Sequence, residues 1–188
     1  FVVGGGKAAG RMAEALERVV PPGHITDGLV TCREGSFDTR KIEVTAAGSP
    51  LPDERGVRAT SRMLVLKDKY RFGPDDLVVA LISGGASALM PAPAEGVSVE
   101  ELRRATALLL ECGAAIHEIN AVRKHLSRIK GGRMGACVSP AQVVSLILSD
   151  VPGNDLDVIA SGPTVPDRST YADAWQVLER YSLMDRMP

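Results

Sequence analysis

Residues 77–82 are six consecutive apolar residues (Leu-Val-Val-Ala-Leu-Ile) that stop abruptly at Ser83-Gly84-Gly85-Ala86-Ser87. A run this short and this continuous suits a strand buried on both faces, the arrangement of a parallel sheet covered by helices. Residues 143–148 read as a second strand of this kind, ending at Ser149-Asp150. Between and around them the apolar spacing turns helical. From Ala8, the positions Ala9, Met12, Leu16, Val19 and Val20 mark a helix stopped by Pro21-Pro22-Gly23. Asp53 caps a helix over 54–69, Ser98 and Glu101 form a capping box for one over 99–112, and further helices are predicted over 115–129 and 169–181. Gly131-Gly132 is expected to end the third of these. Shorter strands are predicted at the start of the chain, at 28–32 and at 41–45, the last with one face exposed.

Strands alternating with helices predict an α/β fold, a doubly wound, mostly parallel sheet (Rossmann-like) flanked by helices, in one domain over 1–188. Such sheets bind ligands at the carboxyl ends of their strands. The composition narrows the ligand. Lys+Arg is 22 and Asp+Glu is 23, and aromatic residues are only 4%. A generally basic nucleic-acid binder is therefore excluded, though not a local basic patch, and the low aromatic content argues against a stacking surface for single strands. No apolar run is long enough to span a membrane. Cys32, Cys112 and Cys137 are odd in number and widely spaced. That predicts neither disulfides nor zinc, and a reducing, cytoplasmic compartment.

Four places carry chemistry. Gly4-Gly5-Gly6-Lys7 lies between a strand and a helix, where glycines let amides approach an anion and Lys7 adds a full charge. Gly4, Gly6 and Ala9 also match the dinucleotide pattern G-x-G-x-x-A, with Asp27 as a loose candidate for its acidic partner. The competing reading is that the glycines serve only close packing of strand and helix. Ser83, Gly84, Gly85, Ala86 and Ser87 offer small residues and hydroxyls to an oxyanion; the alternative is a plain tight turn. No Asp or Glu occurs from Ile119 to Ser149, whereas Arg123, Lys124, Arg128, Lys130 and Arg133 do. Asn120, Arg123 and Lys124 share a helical face, and Lys130-Gly131-Gly132 follows as a turn that can fold around a phosphate or carboxylate. Asp150, after a strand, suits Mg²⁺ or serves as a cap for the residues after Gly153.

Taken in order, Gly6-Lys7-Ala8-Ala9, Ala47-Gly48-Ser49-Pro50-Leu51-Pro52-Asp53-Glu54, Ser83-Gly84-Gly85-Ala86-Ser87, Glu118-Ile119-Asn120-Ala121-Val122-Arg123-Lys124-His125, Lys130-Gly131-Gly132-Arg133, Leu148-Ser149-Asp150-Val151-Pro152-Gly153 and Ile159-Ala160-Ser161-Gly162-Pro163-Thr164 make a sequence that resembles the type II glycerate kinases. Two positions depart from that pattern: Ser49 stands for a histidine and Asn154 for an aspartate. The resemblance implies transfer of phosphate from ATP to D-glycerate, usually giving 2-phosphoglycerate, with Mg²⁺. It implies Lys7 in the active site; from the residues themselves, Lys7 is expected at the transferring phosphoryl group, Asp150 at Mg²⁺ or the acceptor hydroxyl, and Gly5, Gly6, 83–87, Asn120, Arg123, Lys124 and 130–132 around substrate or phosphate. It also implies an incomplete N-terminal domain of a longer two-domain enzyme, so that these 188 residues are expected to fold but not to turn over. The expected partner is the small molecule glycerate, with no nucleic acid or membrane, and a homodimer is left open. The rival functions are an NAD(P)-dependent hydroxypyruvate reductase and a non-catalytic anion-binding regulator.

Overall fold

A computed structural model describes all of residues 1–188. Five strands form one sheet: β1 (Val2–Gly5), β2 (Gly28–Cys32), β3 (Ile42–Ala46), β4 (Leu77–Ser83) and β5 (Gln142–Leu148). Their spatial order is β3-β2-β1-β4-β5 and every neighbouring pair is parallel. Helix α1 (Ala9–Val19) lays Ala9, Ala13, Met12 and Leu16 on one face, against Val2, Val30, Ile42 and Leu81. Helices α2 (Glu54–Leu64) and α3 (Leu66–Tyr70) cover the other face, where Ala59, Met63 and Leu66 meet Val3, Leu29 and Val78. The sheet is doubly wound, as its strand pattern predicts. The β2–β3 crossover is a loop rather than a helix, held to α1 by Glu14 accepting from the Asp38 amide and Glu17 from the amides of Arg40, Lys41 and Ile42.

The chain goes back and forth through α4 (Ala86–Leu89), α5 (Val99–Glu111), α6 (Ile116–His125), α7 (Arg133–Cys137) and α8 (Tyr171–Arg180). Asp53 caps α2 through the Gly56 amide, and Ser98 with Glu101 closes a full capping box on α5. Helices α5, α6 and α8 share a second, smaller core of Leu109, Ile119, Val122, Ala174, Val177 and Leu183. Glu118 on α6 clamps α8 to this lobe, accepting from the Arg180 guanidinium and the Tyr181 hydroxyl. No helix is long and apolar enough to cross a membrane.

Four expectations are corrected. The helix predicted over 54–69 is two helices meeting at Val65, which is exposed and has no packing to hold it in line. The helix predicted over 115–129 stops at His125, because the next residues pair with an extended stretch instead: Ala94 donates to Leu126 O and Arg128 to Ala92 O. Gly131-Gly132 therefore does not end α6 but opens α7, with Gly132 in the left-handed region at φ 79°. Strand β5 is not buried on both faces. It is the edge of the sheet, and Val144, Leu146 and Leu148 are 43–57% exposed on the face that α1 leaves uncovered. Apolar run length identifies the strand but not its place in the sheet.

Candidate active site

In this strand order, β1 is the point from which the chain moves outward in both directions, first to β2 and then to β4. The crevice of such a sheet opens between the carboxyl ends of β1 and β4. Lys7 follows β1 and the Ser83–Ser87 turn follows β4, so the topology brings together two motifs far apart in sequence. Their backbones are joined directly: Lys7 N–H donates to Gly84 O at 2.9 Å, and Ala8 N–H donates to Ser83 Oγ at 3.0 Å. Gly4 (φ 144°) and Gly6 (φ 137°) make this approach possible, since a Cβ at either would overlap β4, at Leu81 and Ser83 respectively. Gly5 is closed in by Thr31 and Met90 in the same way. These glycines thus serve the close packing of two strands. Ser83, buried with its oxygen accepting from Ala8, is part of that brace, and the Ala86 side chain lies in the core.

What the brace leaves open is the turn itself. None of the amides of Gly84, Gly85, Ala86 and Ser87 donates to another group of the chain. Lys7 is exposed, forms no ion pair, and its side chain lies along Gly85, 3.2 Å from where a Cβ would be. Asp150, carried in by β5, lies against Gly84, where a Cβ would overlap its carboxylate. It is exposed and accepts no hydrogen bond within the chain, so it is not a cap. A free cation, a free carboxylate and unused amides therefore converge on one turn. No group of three or more His, Cys, Asp or Glu side chains suited to a metal is present. A single carboxylate beside a phosphate still fits Mg²⁺, which commonly takes one or two carboxylates and fills its shell with phosphate oxygens and water.

A second cationic group lies behind the turn. Lys130 is 2% exposed, and its ammonium makes one hydrogen bond, to Ser87 O at 3.3 Å. Its neighbour Arg123 has no ion pair and no hydrogen bond, and its Nε is buried without a partner. Burial lowers the pKa of both groups, and the Arg123 charge pushes Lys130 further down, well below the usual lysine value. Asn120 is 4% exposed. Its Oδ1 accepts from Ser161 Oγ at 2.9 Å, while Nδ2 is buried and unpaired. Ser161 in turn lies 3.2 Å from Ser87 Oγ, which links the second group to the turn.

Lys124 belongs elsewhere. Although it shares α6 with Asn120 and Arg123, its ammonium pairs with Asp157 and, at 3.2 Å, with Asp167. The expectation that it holds a ligand's oxygens is corrected: two carboxylates already neutralise it. Gly131 and Gly132 are likewise occupied, donating to Ser161 O at 3.0 Å and Gly162 O at 2.7 Å, so their amides do not cradle an anion. Asp27 stands before β2, bonded to Lys69, Tyr70 and Gly28, at the wrong end of the strand for a ribose. At the right end stands Cys32, followed by Arg33-Glu34, and Glu34 pairs with Arg55. Sequence reasoning named the stretch containing Ser161 but gave the residue no role. Its signal is the Ala160-Ser161-Gly162 backbone, in which three successive residues have φ of 55–61°.

The chain is similar in sequence and fold to known proteins. A D-glycerate 2-kinase of Thermotoga maritima is 49% identical over 187 residues, covering 97% of this chain and 44% of the relative. A glycerate 2-kinase of Pyrococcus horikoshii is 42% identical over the whole chain and 42% of its own length, and a putative hydroxypyruvate reductase of Agrobacterium vitis is 44% identical. The crystal structure of a glycerate kinase from Thermotoga maritima superposes with a TM-score of 0.90, at 49% identity, over 97% of this chain and 44% of that one. The chain thus spans less than half the length of the relatives it matches. A family model described as a domain of unknown function, DUF4147, matches residues 1–188, and the chain belongs to that family.

Proposed function

We propose that this chain provides one wall of the active site of a glycerate kinase, which transfers the terminal phosphoryl group of ATP to a hydroxyl of D-glycerate, giving 2-phosphoglycerate. The observation that carries this reading is the convergence of unpaired Lys7 and unpaired Asp150 on the unused amides of the Gly84-Gly85 turn. Phosphoryl transfer requires mainly positioning and neutralisation of charge on the transferring group. The amides of 84–87 hold phosphate oxygens. Lys7 lies over the same turn and stabilises the charge that grows on the phosphoryl oxygens as the bond to the leaving group breaks. Asp150 holds Mg²⁺ or orients the acceptor hydroxyl. Bound Mg²⁺ supplies additional neutralisation of the phosphates. The relatives' names support the substrate assignment, and their greater length leaves room for a second domain, which would close the cleft and exclude water. The test is ADP release by the full-length protein with D-glycerate, beside NADH oxidation with hydroxypyruvate. Glycerate-dependent ADP release with no NADH consumption is expected; the reverse would replace the kinase by a reductase.

A further inference from the structure

Lys130 is buried, and beside it Arg123 is half-buried with its Nε enclosed; no carboxylate pairs with either. Asp157 and Asp167 pair through their Oδ1 atoms with Lys124 rather than with either of these cations. The Asn120 amide adds an unpaired buried donor to the same place. In this orientation Oδ1 accepts from Ser161 Oγ and Nδ2 is left free. Arg123 Nε and Asn120 Nδ2 have no acceptor and Lys130 has only the Ser87 carbonyl, so this group is one that an anion from outside the chain would complete.

We propose that Arg123, Lys130 and the Asn120 amide form a subsite for a small carboxylate, the acid group of the 2-hydroxy acid acceptor. The identity of the acceptor rests on the glycerate kinase reading above; the subsite itself rests on this cluster. Two features favour a carboxylate over the nucleotide phosphates. The group is small and largely enclosed, and its two cations and one amide fall well short of the roughly four negative charges of a triphosphate. The exposed turn, with Lys7 and Asp150, is the place with room for that longer chain. Lys130 also touches the turn at Ser87, whereas Lys7 touches it at Gly85. One ligand can therefore anchor its acid group at the first and present its hydroxyl toward the second, since Gly85 and Ser87 belong to the same short turn. A bidentate guanidinium–carboxylate contact would also set the acceptor's orientation.

The decisive experiment compares Arg123→Gln and Lys130→Met with wild type in the full-length protein. KM for D-glycerate should rise at least tenfold while KM for ATP changes less than twofold, and Arg123→Lys should recover part of the loss. A rise in KM for ATP with KM for glycerate unchanged would make this a phosphate site and overturn the proposal, as would no change in either. Calorimetric titration with lactate, which keeps the acid and the 2-hydroxyl, separates this claim from the kinase reading. Lactate binding by wild type that is lost in folded Arg123→Gln upholds the subsite even if no ADP is released from glycerate. Folded wild type that binds no lactate, or Arg123→Gln that binds it equally, overturns it.

Discussion

Lys124 and Lys130 are close in the chain, both are 2% exposed, and their surroundings are opposite. Lys124 faces two carboxylates brought in by the later part of the chain, Asp157 and Asp167. Lys130 faces a carbonyl and another cation. Burying a charge is costly unless it is paired, and folds ordinarily pair it. One region does so within the chain, and its lysine fastens the segment after β5 to α6. The other does not, and its cost is carried by the fold until something outside the chain supplies the negative charge. The difference marks which of two identical side chains is structural, which sequence spacing had placed together in one anion-binding run.

The largest effect should come from the unpaired region's exposed end. Lys7→Ala in the full-length enzyme should lower kcat for glycerate phosphorylation by ~10³-fold, which is about 4 kcal/mol of transition-state stabilisation. Thermal unfolding should be unchanged, because Lys7 is exposed and forms no ion pair. Retained turnover, or a sharp fall in Tm, would show that Lys7 belongs with Lys124 on the structural side.

The same substitution at the two buried lysines should act with opposite sign. Lys124→Met leaves Asp157 and Asp167 without their cation and should cost about 3 kcal/mol in urea unfolding, in the range for breaking a buried pair. Lys130→Met removes a buried, unneutralised amine and should leave stability unchanged or raise it by about 1 kcal/mol. A pH series sharpens this. The folded-state pKa of Lys130 is lowered by burial and by Arg123, so the unfolded chain holds the extra proton between that value and the ordinary lysine pKa of 10.5. Wild-type stability should therefore gain a positive slope with pH in that window, relative to Lys130→Met. Equal losses from the two substitutions would erase the distinction.

The fold was largely legible because its signals are local. Run length marked β4, spacing marked α1, and Ser98 with Glu101 marked the start of α5. Lys7, the 84–85 turn and Asp150 could be named as candidates from the kind of residue that follows each strand, but their meeting depends on sheet order, which no local pattern carries. The same limit explains the errors. The acid-free stretch from Ile119 to Ser149 suggested a single cationic face, whereas the partners of Lys124 lie beyond it in sequence. Gly131 and Gly132 looked like an anion turn, whereas their amides are taken by the carbonyls of Ser161 and Gly162, in a segment with no apolar period to predict its path.

The smallest effect concerns how the unpaired region is held. Ala160 has φ 55° and ψ 16°, left-handed backbone that a residue with a Cβ adopts at a cost of ~1–2 kcal/mol. Ser161 follows at φ 60°, and its hydroxyl lies between Asn120 and Ser87. The strained pair thus keeps the second cationic group in register with the turn. Ala160→Gly removes the steric cost but adds ~0.5–1 kcal/mol of unfolded-state entropy and loses a methyl packed on the main core. The net should be a gain of about 0.5 kcal/mol in urea unfolding. KM for glycerate should rise less than in Arg123→Gln, because Ser161 remains in place on a looser backbone. A loss greater than ~1 kcal/mol would mean that methyl packing, rather than relief of strain, decides the balance at this position.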